Sequence, residues 1–215
     1  MKEFNTTAVC IPSKHYMVDL SDRVKEIKKL VDMGKYFTIN RARQYGKTTT
    51  LNALENAFSD EYDVISIDFQ DMTDADFYNE SNFVKGLSKV LCDTKDYMGI
   101  PISDKYYKEL QILADVDKDI KLSDIFSIFD RWCKENKKPV ILIIDEVDTA
   151  TNNQVFLDFL GKLRSNYLKK EKNPHYITFK SVILAGVIDI KHLKSKIREE
   201  DKHKVNSPWN IAADS

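Results

Sequence analysis

Two short runs, "VILII" at 140–144 and "VILAGV" at 182–187, constrain the fold more than any other feature of the chain. Every position in them is apolar or glycine, with no polar residue at alternate places. A strand with one wet face alternates, whereas a strand covered on both faces does not, so both runs predict central strands of a parallel sheet with helices on each side. They are far shorter than the roughly 20 apolar residues that a membrane helix requires. The first is preceded by Pro139 and followed by Asp145 and Glu146, so it should end in two carboxylates.

The remaining elements fit around these strands. Ser21 is placed to cap a helix carrying Val24, Ile27, Leu30 and Val31, which Gly34 would end. "YFTI" (36–39) reads as a strand, and Leu51, Leu54 and Phe58 put one apolar face on a helix over 48–58. "VISIDF" (64–69) is rich in β-branched residues and predicts another strand. Three helices follow, at 81–92, 103–114 and 123–134, with Ser81, Ser103 and Ser123 as their expected caps. A further helix spans 153–169, with Val155, Phe156, Phe159, Leu160, Leu163 and Tyr167 inward, and "WNIA" near the C-terminus suits a last short strand. Strands alternating with helices predict an α/β sheet with right-handed crossovers, whose ligand lies beyond the carboxyl ends of the strands.

One such end is occupied by the stretch "TINRARQYGKTTTLNAL" (38–54). A phosphate-binding loop needs a strand before it, backbone N–H groups curled round phosphate oxygens, a lysine for the β- and γ-phosphates, a hydroxyl for magnesium, and a helix N-terminus behind. Ile39 ends the strand. Residues 40–45, with Arg43, Gln44 and Tyr45 next to the triplet, form the loop, and Gly46 allows close backbone approach. Lys47 supplies charge, Thr48 the magnesium hydroxyl, and Thr49 a contact to the α-phosphate. The second requirement, an acidic residue at the tip of a neighbouring buried strand, is met by Asp145. Glu146 beside it is the expected base for an attacking water.

At these residues the chain resembles a family. "HYMVD" (15–19), "YFTINRARQYGKTTTL" (36–51), "VILIIDEVD" (140–148), "SVILAGV" (181–187) and "NSPWNIAAD" (206–214) look like the AAA-ATPase-like domain of bacterial and archaeal proteins. That domain commonly precedes a PD-(D/E)XK nuclease-like domain. The resemblance implies a P-loop fold of the additional-strand class, with ATP and Mg2+ as ligands. It implies Gly46, Lys47 and Thr48 at phosphate and magnesium, Asp145 on the metal through water, and Glu146 as the base. It also accounts for the arginine at the loop opening, because members carry "RPRRFGKS"-like loops; here Ala42 replaces the proline and Gln44 an arginine.

These readings give one domain over 1–215, with 70–134 as a helical insert, ending ahead of a lid or a nuclease-like domain. The expected activity is therefore a slow or partner-dependent Mg-ATPase acting as a nucleotide switch. The alternatives are an interaction module with a decayed site or a small-molecule kinase. Lys plus Arg (33) nearly balances Asp plus Glu (34), which leaves no global basic field for nucleic acid, so any such contact would be local. A protein partner or self-association remains open, and no membrane partner is expected. Three well-separated cysteines, Cys10, Cys92 and Cys133, match neither a disulfide framework nor a zinc spacing, and a reduced cytoplasm is the expected setting.

Other residues carry two readings each. Arg41 and Arg43 would bind phosphate, or pack over the sheet end and pair with Asp19 or Asp148. Asp148 is expected as a supporting carboxylate or helix cap rather than part of a helicase box. The basic group Arg164, Lys169, Lys170 and Lys172 suits a helix C-terminus, with a trans arginine finger or nucleic-acid patch as the other role for Arg164. His15, His175, His192 and His203 lack metal-ligand spacing. The tip of the fourth strand (Ala185, Gly186, Val187) offers no polar side chain, leaving Ser181 or Asp189 as substitutes.

Overall fold

A computed structural model describes residues 19–40 and 46–186 of the chain. Within them the order is α1 (Ser21–Asp32), β1 (Tyr36–Asn40), α2 (Lys47–Phe58), β2 (Asp63–Asp68), α3 (Glu80–Met98), α4 (Asp104–Asp115), α5 (Leu122–Glu135), β3 (Val140–Asp145), α6 (Gln154–Lys172) and β4 (Ser181–Gly186). Short 3-10 turns, Phe69–Asp71 and Val147–Ala150, follow β2 and β3. The "WNIA" segment, Val187, Asp189 and the loop 41–45 lie outside the described residues.

The four strands form one parallel sheet in the order β1-β4-β3-β2. All six positions of β3 and all six of β4 are buried, as their unbroken apolar runs predict. Alternate residues serve opposite faces. Phe37, Ile39, Ile141, Ile143 and Ile183 pack with Ile27 and Val31 of α1 and Leu51, Leu54 and Phe58 of α2. Tyr36, Ile65, Ile67, Leu142, Ile144 and Leu184 belong to a larger core shared with α3 to α6. Aromatic rings tie that second layer together, with Phe159 lying 5.4 Å from Phe83 and 5.5 Å from Phe126 between ring centroids, and Phe69 5.7 Å from Phe156. The result is a three-layer α/β domain.

Among the described strands, β4 lies between β1 and β3, so the strand that leads into the loop and the strand that ends in the acid pair are not neighbours. The register sets Asn40 beside Gly186 and Asp68 beside Asp145, so all four strands present their carboxyl ends along one edge. β1 delivers the chain to this edge, and α2 leaves from it.

The expected serine caps require correction. Leu20, not Ser21, holds the cap position of α1, and the Ser21 N–H donates instead to the Asp19 carboxylate at 2.8 Å. Asn79 caps α3, its side chain accepting from Asn82 N–H at 2.8 Å, and the helix runs six residues past the expected end at 92 to Met98, where left-handed Gly99 stops it. Ser81 is buried inside that helix, and its hydroxyl accepts from Ile120 N–H. Ser103 does hold the cap position of α4, without a side-chain hydrogen bond. For α5 the cap position is Lys121, whose N–H donates to Asp124 at 2.8 Å, and Ser123 falls within the first turn. No helix among the described residues is long and apolar enough to cross a membrane.

Candidate functional site

Gly46 stands at the N-cap of α2 with φ 74°, a left-handed conformation that a Cβ would strain. It turns the chain so that Lys47 is the first helical residue. A lysine there opposes the helix dipole, and its side chain is only 9% exposed, so something must compensate. The tip of β3 does so. Lys47 Nζ lies 2.8 Å from Asp145 Oδ1 and also donates to Glu146 Oε1; these carboxylate side chains are 11% and 15% exposed. Burial by itself would lower the Lys47 pKa, but the hydrogen bonds to the two carboxylates more than offset it and hold the ammonium above its ordinary value.

Glu146 adopts φ 51°, and among the described residues it is the one non-glycine with positive φ. A left-handed non-glycine residue costs on the order of 1–2 kcal/mol. This bend turns the chain from β3 into the following 3-10 turn, while Asp145 Oδ1 accepts the Glu146 N–H at 2.7 Å. Thr48 is exposed and Thr49 half-buried. Thr50, which the sequence reading passed over, is fully buried and donates its hydroxyl to Gly46 O at 2.9 Å, bracing the first turn of α2.

Thr48 and Asp145 line one cleft of about 840 Å³ that extends past Asn52 and Glu55 of α2 to the tip of β2 and to α3. Burial raises the pKa of the Glu55 and Asp68 carboxyls in this cleft, and the nearby Asp145 charge adds to both shifts. No cluster of three or more His, Cys, Asp or Glu side chains among the described residues is set to hold a metal. One carboxylate and one hydroxyl with the rest water is nevertheless the donor set that suits Mg2+, which keeps several waters.

The structure thus brings together Gly46, Lys47, Thr48, Thr49, Asp145 and Glu146 at the carboxyl edge of the sheet. Arg41, Arg43, Gln44 and Tyr45, and with them the loop's part of the site, lie outside the described residues. Ser181 is not at this edge: it opens β4 at the far end, where its hydroxyl donates to Lys35 O at 2.5 Å, so it cannot substitute for a polar group at the tip. That group is Asp148. A Cβ built on Gly186 would meet the Asp148 carboxylate at 2.8 Å, so the 3-10 turn after β3 lays this side chain across the tip of β4. A side chain at 186 would have to displace that carboxylate, a pairing no linear motif encodes.

The basic group on α6 divides. Lys170 turns inward, donating to Gly34 O (2.9 Å), Phe179 O (3.2 Å) and Lys180 O (2.9 Å) and lying over the Tyr36 ring at 4.6 Å, at the end of the sheet away from the site. Lys169 lies over Tyr176. Arg164 is half-buried, and its Nε has no hydrogen-bond partner among the described residues. His175 is exposed, and the other three histidines lie outside the described residues.

Comparison with solved structures finds the ORC2 protein of Aeropyrum pernix in its ADPNP–ADP complexes (13% identity, TM-score 0.47, 82% of this chain and 42% of that one). It also finds the ADP form of the same protein (12%, 0.46, 82% and 43%) and Cdc6p from Pyrobaculum aerophilum (10%, 0.39, 84% and 41%). The chain spans less than half the length of each. No curated protein matches the sequence. The profile of the AAA-like domain does match, over residues 4–191, most of the chain. With its parallel sheet and its lysine and acid pair at one edge, the protein belongs to the AAA-like domain family.

Proposed function

We propose that this domain binds ATP with Mg2+ at the junction of α2 and β3 and works as a slow or partner-dependent ATPase, a nucleotide switch. The meeting of Lys47 with Asp145 and Glu146, the latter 99 residues away in the sequence, carries the reading. The α2 N-terminus and Gly46 would receive the phosphates, with Arg43, Gln44 and Tyr45 assigned to the loop round them. Lys47 would reach the β- and γ-phosphates and Thr49 the α-phosphate. Thr48 and, through water, Asp145 would hold Mg2+, which when bound neutralises charge on the phosphates. Glu146 would take a proton from the attacking water, a role it can fill only after leaving Lys47, and this supports slow turnover.

Titration calorimetry with a non-hydrolysable ATP analogue and Mg2+ tests the reading. Saturable binding is expected, and a folded sample that gives no binding heat at millimolar nucleotide overturns it. A second reading, phosphoryl transfer to a small acceptor, is favoured by the 840 Å³ cleft beside Thr48 and Asp145. ADP release that depends on an added acceptor would select it. Cys92 and Cys133 are free and buried, with thiol pKa values pushed up by burial to about 11 and about 12, which makes them poor candidates for a nucleophile.

A further inference from the structure

Among the described residues β2 is the outermost strand on its side of the sheet, pairing with β3 alone. The ladder fixes which of its backbone groups face outward. Asp63 N–H donates to Pro139 O at 3.1 Å, so Asp63, Ile65 and Ile67 direct their N–H and C=O groups at β3, and Val64 and Ser66 turn theirs the other way. The 840 Å³ cleft lies on that outer side. Leu51 and Glu55 of α2 form one wall, Val90, Asp93 and Tyr97 of α3 the other, with Ser66, Ile67 and Asp68 between them. These helices cover opposite faces of the sheet, so a cleft lined by both runs along the edge of β2. We propose that it takes an extended, lysine- or arginine-bearing segment of a partner protein, which adds to β2 as a further strand.

The lining selects that occupant. Setting aside Asp145, which Lys47 serves, Glu55, Asp68, Asp71, Asp76 and Asp93 face one ammonium, Lys89, and none of these five carboxylates has an ion pair among the described residues. Nucleic acid, a polyanion, is repelled by such walls. Between the acids the surface is apolar, with Leu51 and Val90 buried and Tyr97 and Met98 exposed at the mouth, 88% and 64%. Lysine and arginine match this mixture: the methylene stem lies on apolar surface while the head reaches a carboxylate or the face of an aromatic ring. The strand edge supplies what charge alone does not. An added strand gains main-chain hydrogen bonds, and its alternate side chains face the two walls in turn, where Glu55 and Asp93 stand. Six residues of β2 offer about 20 Å of edge. Carboxylates that merely guard an edge sit on the strand itself. Here Glu55 and Asp93 belong to the two flanking helices, one on each wall.

The test is fluorescence anisotropy with a labelled octapeptide of alternating lysine and valine. An alternating glutamate and valine octapeptide and the lysine peptide methylated at every backbone nitrogen are the comparisons. The lysine peptide should bind wild type at least about 10-fold more tightly than either, since the first comparison reverses the charge and the second removes the main-chain donors. Equal binding of the glutamate peptide overturns the proposal, and equal binding of the methylated peptide overturns strand addition. The double variant Glu55→Gln/Asp93→Asn should weaken the lysine peptide by about 2–30-fold, and an unchanged affinity contradicts the role of the walls. Hydrogen exchange supplies a measurement that needs no variant. The Val64 and Ser66 amides should exchange freely without peptide and at least about 10-fold more slowly with it. Amides already protected without peptide would show the edge covered by the chain itself and overturn the proposal.

Discussion

Replacing Lys47 by methionine should destabilise the protein, which removal of a lysine standing free in solvent would not do. At 2.8 Å and an effective dielectric constant near 20, the Lys47–Asp145 pair contributes about 6 kcal/mol of gross attraction. Much of this is offset by the cost of drying the ammonium, a cost that methionine does not incur. What remains after the substitution is a pair of adjacent carboxylates, 11% and 15% exposed, with no counter-charge between them. Breaking a buried pair from one side typically costs about 3–5 kcal/mol, and the residual exposure puts the expectation at the lower end, about 3 kcal/mol. For a domain of this size that is a fall of roughly 6–12 °C in melting temperature. The assay is thermal and urea unfolding without nucleotide or Mg2+, with the Lys47→Met/Glu146→Gln double variant alongside. Removing one of the stranded charges should return part of the loss, so the two substitutions should be non-additive. A Lys47→Met protein as stable as wild type would refute the reasoning.

Two further outcomes are expected. Burial, with Lys180 and Lys35 adding, pushes the Lys170 ammonium down to about 8 from an ordinary 10.5, so between these values the unfolded chain holds more protons than the folded one and stability from this group rises with pH. Urea unfolding should accordingly show the advantage of wild type over Lys170→Met growing by about 2 kcal/mol between pH 7.5 and 9.5, and a constant difference would contradict it. Gly186→Ala places a Cβ 2.8 Å from the Asp148 carboxylate and should cost about 1–3 kcal/mol in thermal unfolding. Adding Asp148→Ala should recover most of that loss, and a purely additive double variant would dissociate the two residues.

The strands were legible because burial on both faces leaves no polar position, so "VILII" and "VILAGV" announce themselves without alternation. Helix starts were not, because serine, asparagine and aspartate two or three residues apart are all able to cap, and the choice falls to tertiary partners. Ser81 is drawn away by the Ile120 backbone, and Asn79 caps in its place. The last turn of α3 was missed because "DTKDYM" carries no apolar period, the helix being finished by Gly99 rather than by core contacts. At the site, the residue types and their strand and helix positions could be read directly. The contact of Lys47 with both acids could not, since it depends on how far apart β1 and β3 lie in the sheet. Asp148 over Gly186 is a contact across two strands, which one-dimensional spacing cannot express.

The place of β4 between β1 and β3 also sets an order of events during folding. β1 has no partner among the described strands except β4, and that pairing joins residue 36 to residue 182. A contact so distant along the chain closes late and slowly. While the polypeptide emerges from the ribosome, β2 and β3 can pair and the acid tip can form, but the loop strand stays unmated until β4 arrives. The edge that carries Lys47, Asp145 and Glu146 is therefore complete only when the fourth strand has joined the sheet. The chain cannot complete this edge before the rest of the sheet is in place, so half-made copies lack the site.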